Sequence, residues 1–140
     1  MNSNSNSNST ETAIIEVLKT LLEQGANGLY KVITAFDASE EKGLNGVVAV
    51  QITNVENLNH GAEHDYKYTA NISGQTLADE DRDKSKIQAI NQSVLSIIGN
   101  TANIELPNLA GALFRGGTIE DDGDTRNFSY EMEFFVCDAI

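Results

Sequence analysis

The sequence predicts an α+β domain, a mostly antiparallel sheet of about five strands with two amphipathic helices packed on one side. Three observations carry this expectation. Ile14, Val17, Leu18 and Leu21 recur at helical spacing, and Ile87, Ile90, Val94, Ile97 and Ile98 do so again later in the chain. Between them, Tyr66, Tyr68, Ala70 and Ile72 alternate with Lys67, Thr69, Asn71 and Ser73, the period of two that a strand with one buried face needs. The chain then closes on a longer alternation of Phe128, Tyr130, Met132, Phe134 and Val136.

A chain of 140 residues suits one domain with a core that needs no covalent staples. Residues 1–9 are an Asn-Ser alternation without apolar surface to offset chain entropy, so a disordered tail is expected there, with the domain spanning 10–140. Ser9 or Thr10 is placed to cap the first helix, Glu11 suits its first turn, and Gly25 is a natural stop. Leu29 to Phe36 reads as a first strand and Asp37 to Asn45 as a polar connection, the first two strands forming a hairpin-like pair. Gly46 to Asn54 reads as a second strand, apolar on both faces through Val47, Val48, Ala49, Val50 and Ile52. Such a strand is central in the sheet or has one face on another subunit.

Val55 to Asp65 is a polar loop carrying His60 and His64, and it leads into the strand that begins at Tyr66. An acidic loop from Gly74 to Asp83 precedes a helix from Asp83 to Ile98, which Gly99 ends. Asn91 falls inside the apolar stripe of that helix, so its amide needs a partner within the domain or at a subunit contact. Asn100 to Gly117 reads as irregular, with Gly116-Gly117 a turn. A short strand at Thr118 to Glu120, the turn Asp121-Asp122-Gly123-Asp124, and the final strand Arg126 to Cys137 complete the chain.

Composition excludes several function classes. The formal charge of −12 repels other polyanions, and nine scattered Lys and Arg form no basic face for sequence-specific DNA binding or for anionic lipid. No apolar run approaches the roughly 20 residues of a membrane span, and the N-terminus lacks the apolar core of a signal peptide. Folding in the cytoplasm is the default expectation. Matches to the glycosylation acceptor pattern at Asn8, Asn71, Asn91 and Asn127 are then chance occurrences in an Asn-rich chain.

The residues that could carry chemistry have simpler explanations. Asp79, Asp81 and Asp83 resemble the start of an EF-hand loop, but Lys84 stands where the glycine belongs and Ile90 where the bidentate acid belongs. A solvated acidic surface ahead of a helix is the expected reading, and turn chemistry accounts for Asp121, Asp122 and Asp124. His60 and His64 sit in a loop with Gly61 between them, which does not match a zinc-binding helix. Cys137 is the only cysteine, so no internal disulfide is possible, and it reads as packed beside apolar neighbours. Glu131 and Glu133 share a strand face that defaults to solvent. No catalytic, cofactor-binding or metal-binding residue is assigned, and no cofactor is expected.

The order of elements resembles the tail-terminator, or tail-completion, proteins of tailed bacteriophages and their head-tail joining relatives. The likeness rests on the helix before Leu29-Tyr30-Lys31-Val32, on the tyrosine-bearing strand, loop and helix from Tyr66 to Ile98, and on the aromatic last strand from Phe128 to Phe135. It covers most of the chain from Thr10 onward, except the histidine loop and Asn100 to Phe114. The resemblance implies a non-enzymatic virion protein, assembled in the host cytoplasm as a homo-oligomeric ring, usually a hexamer. Its partners would be further copies of itself and the tail-tube and connector proteins, with DNA passing the lumen without specific binding and with no membrane involved. The surfaces that look made for contact are Phe135, Val136 and Cys137, the strand Val47 to Ile52, and the loops Asp37 to Asn45 and Val55 to Asp65. A host small-molecule-binding or adaptor domain is the alternative, and an enzyme using Glu131 with Glu133, or His60 with His64, comes third.

Overall fold

The rows of apolar residues at helical and strand spacing fold into two helices against one face of a five-stranded sheet. In the computed structural model, residues 4–34, 46–58 and 65–137 are described, the side chains of 4–9 excepted. The chain runs α1 (Asn4–Ala26), β1 (Lys31–Thr34), β2 (Val47–Asn57), β3 (Asp65–Leu77), α2 (Ser85–Ile98), β4 (Leu109–Asp121) and β5 (Thr125–Cys137). Short 3₁₀ turns at Ala78–Glu80 and Thr101–Asn103 flank α2. The sheet order is β1-β2-β3-β5-β4. The α+β class expected from the sequence is the class observed.

Helix α1 buries Ile14, Leu18 and Leu22 completely, as their spacing requires. It begins at Asn4, ahead of the Ser9 or Thr10 cap expected, and it continues through Gly25. Asn27 and Gly28, at φ of 49° and 76°, turn the chain out of the helix instead. Gly25 serves a different purpose. A side chain there would overlap Ile97 of α2, and Ser93 Oγ donates to the Gly25 carbonyl at 3.1 Å. The residue marks the close approach of the two helices. Helix α2 buries Ile87, Ile90, Val94 and Ile98 and ends at Gly99, whose N–H donates to the Leu95 carbonyl at 2.9 Å.

Antiparallel pairs join β2 to β3, β3 to β5 and β5 to β4, whereas β1 pairs parallel to β2. The hairpin-like pair expected for β1 and β2 is therefore corrected. A parallel pair needs a crossover connection, here the stretch 35–45, which lies outside the described residues. Directly opposed residues of an antiparallel pair share a face. Registers such as Val50 with Ile72, Ala70 with Met132 and Tyr68 with Phe134 thus place one apolar row from each strand on the helix side. All six of these side chains are at most 1 % exposed.

Strand limits depart from expectation where pairing outweighs local preference. Strand β3 continues through Gly74 to Leu77, which had read as loop, because β5 pairs with it throughout. Strand β4 starts at Leu109, in the stretch expected to be irregular. Its glycines and two register shifts, at Leu109/Gly111 and Phe114/Gly116, obscure the alternation.

Two of the strand glycines have a packing reason. Gly74 faces Phe128 and Gly117 faces Tyr130 across the ladders, and a Cβ at either would overlap the opposing ring. Gly74→Val is expected to destabilise the fold by about 1–3 kcal/mol. Gly111→Ala, where a Cβ meets open space, is expected to change stability by less than about 0.5 kcal/mol. Urea unfolding of the two variants checks this, and equal effects would remove the ring-over-glycine explanation.

Candidate interaction surface

Among the described residues, no helix covers the second face of the sheet, and its side chains are mostly polar. Lys67 Nζ lies 3.3 Å from Glu56 and 3.5 Å from Glu133, and Arg115 Nε lies 3.7 Å from Glu133. Alternating charges therefore run across β2, β3, β5 and β4. The hydrogen bond to Glu56, followed by the charge of Glu133, raises the Lys67 pKa. Asn71 donates to Ser129 Oγ at 2.8 Å beside this row. Glu131 is exposed on this face as expected, whereas the Glu133 side chain is only 16 % exposed and held by two cations.

At one end of the sheet, Leu58, Asp65, Tyr66, Ala110, Phe135, Val136 and Cys137 line an open groove of about 320 Å³. Strand β2 runs on to Asn57, so the expected loop from Val55 is shorter, and the structure brings Phe135, Val136 and Cys137 together with its flanks at Leu58 and Asp65. His60 and His64, within that loop, lie outside the described residues, as does the connection Asp37 to Asn45. Cys137 is exposed, which corrects its expected packing. Its register position puts it on the face that no helix covers, while Val136 beside it points into the core at 4 % exposure.

The strand Val47 to Ile52, expected to offer a contact face, is largely interior. Val48 and Val50 are buried on the helix side, where α1 packs; on the other face Val47 is buried and Ala49 and Gln51 are half-buried, in a strand flanked by β1 and β3. Contact potential lies instead at β4, where the sequence showed only an irregular stretch and a short strand. Strand β4 is an outer strand whose far edge pairs with nothing among the described residues. It carries Leu113 at 46 % and Ile119 at 75 % exposure. The signal that could have revealed it is the pair of glycines at 116 and 117, read there as a turn.

The acidic loop is partly solvated and partly structural. Asp79, Glu80 and Asp83 are exposed, but Asp81 is buried at 2 % exposure. Its carboxylate accepts from Thr76 Oγ1 at 2.7 Å and from the backbone N–H groups of Lys86 and Ile87, each at 2.9 Å. It therefore satisfies the first turn of α2, where N–H groups lack helical partners. Lys84, at φ of 65°, makes the bend that brings the helix start back to Asp81. Arg126 Nε donates to the Asp81 carbonyl at 3.0 Å, and the same guanidinium pairs with Asp121. In the β4–β5 turn, Asp122 accepts from the N–H of Thr125 at 2.8 Å and of Asp124 at 3.1 Å, as turn chemistry requires. Asn91 also finds its partner within the domain, since Tyr130 Oη donates to its amide oxygen.

Burial pushes the Asp81 carboxyl upward, but the bonds from Thr76, Lys86 and Ile87 together hold it below its ordinary value. Asp83, bonded to Ser85, is also lowered. A depressed carboxyl contributes stability above its unfolded pKa of about 4, and loses it as pH falls through the folded value. Asp81→Ala is expected to cost about 1–3 kcal/mol near neutral pH, with the amide of Asp81→Asn recovering part of this. Urea unfolding from pH 6 down to pH 2.5 should show a shallower loss of stability below about pH 4 in Asp81→Asn. An unchanged slope would show that Asp81 is not the group responsible. No protein-family model matches the chain, and no curated protein matches it significantly.

Proposed function

We propose that the chain is a structural virion protein of a tailed phage, of the tail-terminator kind. Its copies form a ring that ends the tail tube and joins it to the head-side connector. The observation that carries this reading is the uncovered outer strand β4, with Ile119 standing 75 % exposed on it. A strand edge with unpaired N–H and C=O groups is a template for another chain, and folds that stay monomeric usually blunt it. The groove at Phe135 and Cys137 adds a second apolar surface at the end of the sheet. Further support comes from the order of helix, three strands, helix and closing hairpin, which agrees with the resemblance.

Such a protein works by surface complementarity. The excess of acids lets DNA pass a lumen without being held, because like charges repel. A hexameric ring is expected from light scattering after size exclusion, and from negative-stain images of micromolar protein. Added to tail tubes, the protein should limit further growth. A strict monomer that leaves tube length unchanged overturns the reading.

The groove also favours a second reading, a host small-molecule binder. Its volume of about 320 Å³ is at the lower end of ligand sites, and Asp65 and Tyr66 would supply its polar contacts. That reading predicts a melting temperature that rises with some metabolite and a response weakened by Phe135→Ala. Flat melting curves across a metabolite panel dismiss it.

A further inference from the structure

We infer that β4 pairs edge to edge and antiparallel with β4 of a second copy of this chain, about a two-fold axis at Thr118. The inference goes beyond the ring reading, since a two-fold contact makes pairs and a ring needs a further, heterologous contact.

The argument starts from the stretch Gly117 to Asp121, which lies beyond the second register shift of β4 and pairs regularly with β5. On its helix side stands Ile119, opposite Phe128 on β5 and 75 % exposed. On the other side stand Thr118 and Glu120, opposite Ser129 and Asn127. Ahead of them, Gly116 and Gly117 leave two strand positions without side chains. Gly117 must stay bare, because a Cβ there would overlap the Ser129 carbonyl. Gly116 has φ of 90°, which disfavours other residues.

Opposed residues of an antiparallel pair share a face, so a self-pairing axis must fall on a residue. An axis at Thr118 sets Ile119 against Gly117 of the second copy and Glu120 against its Gly116. Each protruding side chain meets a position that has none, and the symmetry makes this happen twice. Arg115 sits next to Gly116 and reaches the same face as Glu120, since it approaches Glu133 there at 3.7 Å. Arg115 of one copy is then opposite Asp121 of the other and one position from its Glu120, so a cation meets two acids, an arrangement repeated by the axis. Moving the axis to Ile119 sets Ile119 against itself and Thr118 against Glu120, and carries Gly116 and Arg115 opposite Asp122 and Gly123, beyond the end of β4. Complementarity of shape and charge selects Thr118.

Cross-linking tests the register directly. In a Cys137→Ser background, Thr118→Cys places two thiols opposite each other, with Cβ atoms about 4.5–5.5 Å apart. This is close to the reach of a disulfide. Glu120→Cys places them four residues out of step, on the order of 13 Å apart. Mild oxidation should link most of the Thr118→Cys protein into dimers and little of the Glu120→Cys protein. Equal linking, or none, overturns the inference. Light scattering of Ile119→Lys separates it from the ring reading. Loss of even-numbered assemblies to half their mass supports the pairing, whereas an unchanged ring overturns the pairing and leaves the ring standing. If wild type is monomeric and Ile119→Lys abolishes binding to tail tubes, the edge belongs to a different protein and the inference fails.

Discussion

The aromatic side chains Phe128 and Tyr130 on β5 hold the sheet and the helix layer in one arrangement. Phe128 lies over the bare backbone of Gly74, and Tyr130 over that of Gly117, so each ring occupies space on a neighbouring strand where a side chain would stand. The rings are 5.4 Å apart, and Phe114 adds a third at 5.5 Å from Tyr130. Tyr130 then reaches α2 through its bond to Asn91. A polar residue inside an apolar helix stripe is thereby satisfied by the same aromatic that orders β4 and β5. Strand registers, helix position and the two glycines are consequences of one packing unit.

Asp81 plays the corresponding part at the start of α2. It is buried, yet it carries three hydrogen bonds to its carboxylate and a contact from Arg126 to its carbonyl. Because the loop is tied to β3 through Thr76 and to β5 through Arg126, the helix can begin only where the sheet places it. The acids around it remain in solvent and keep the surface negative. One acidic run thus contains a structural carboxylate and a solvated surface, distinguished by burial alone.

The contact surfaces follow from what the helices leave uncovered. Both helices lie on one face, over β1, β2, β3 and β5. The polar face with its Glu56–Lys67–Glu133–Arg115 row, the end groove at Phe135, and the edge of β4 remain. Of these, the edge of β4 has no strand partner among the described residues and carries an exposed apolar side chain, a combination a second chain can satisfy. The groove has the apolar lining, but most of it belongs to β3 and β5, which are paired on both sides.

Periodicity determined much of this protein. The α+β class, the buried faces of α1 and α2, the alternation of β3 and β5, and the need of Asn91 for a partner are all consequences of local spacing, which any tertiary context must respect. Tertiary structure alone decided the remainder. The parallel pairing of β1 with β2 cannot be read from the alternation within either strand, because periodicity carries no information on strand direction. Strand β4 is a strand because β5 pairs with it, since its glycines and bulges erase the alternation. Gly25 marks a helix contact and Asp81 a buried cap because of residues distant in sequence, Ile97 for one and Thr76 with Ile87 for the other. Exposure of Cys137 and burial of Val136 beside it likewise depend on which face the helices cover, a property of the assembled layers and of no single segment.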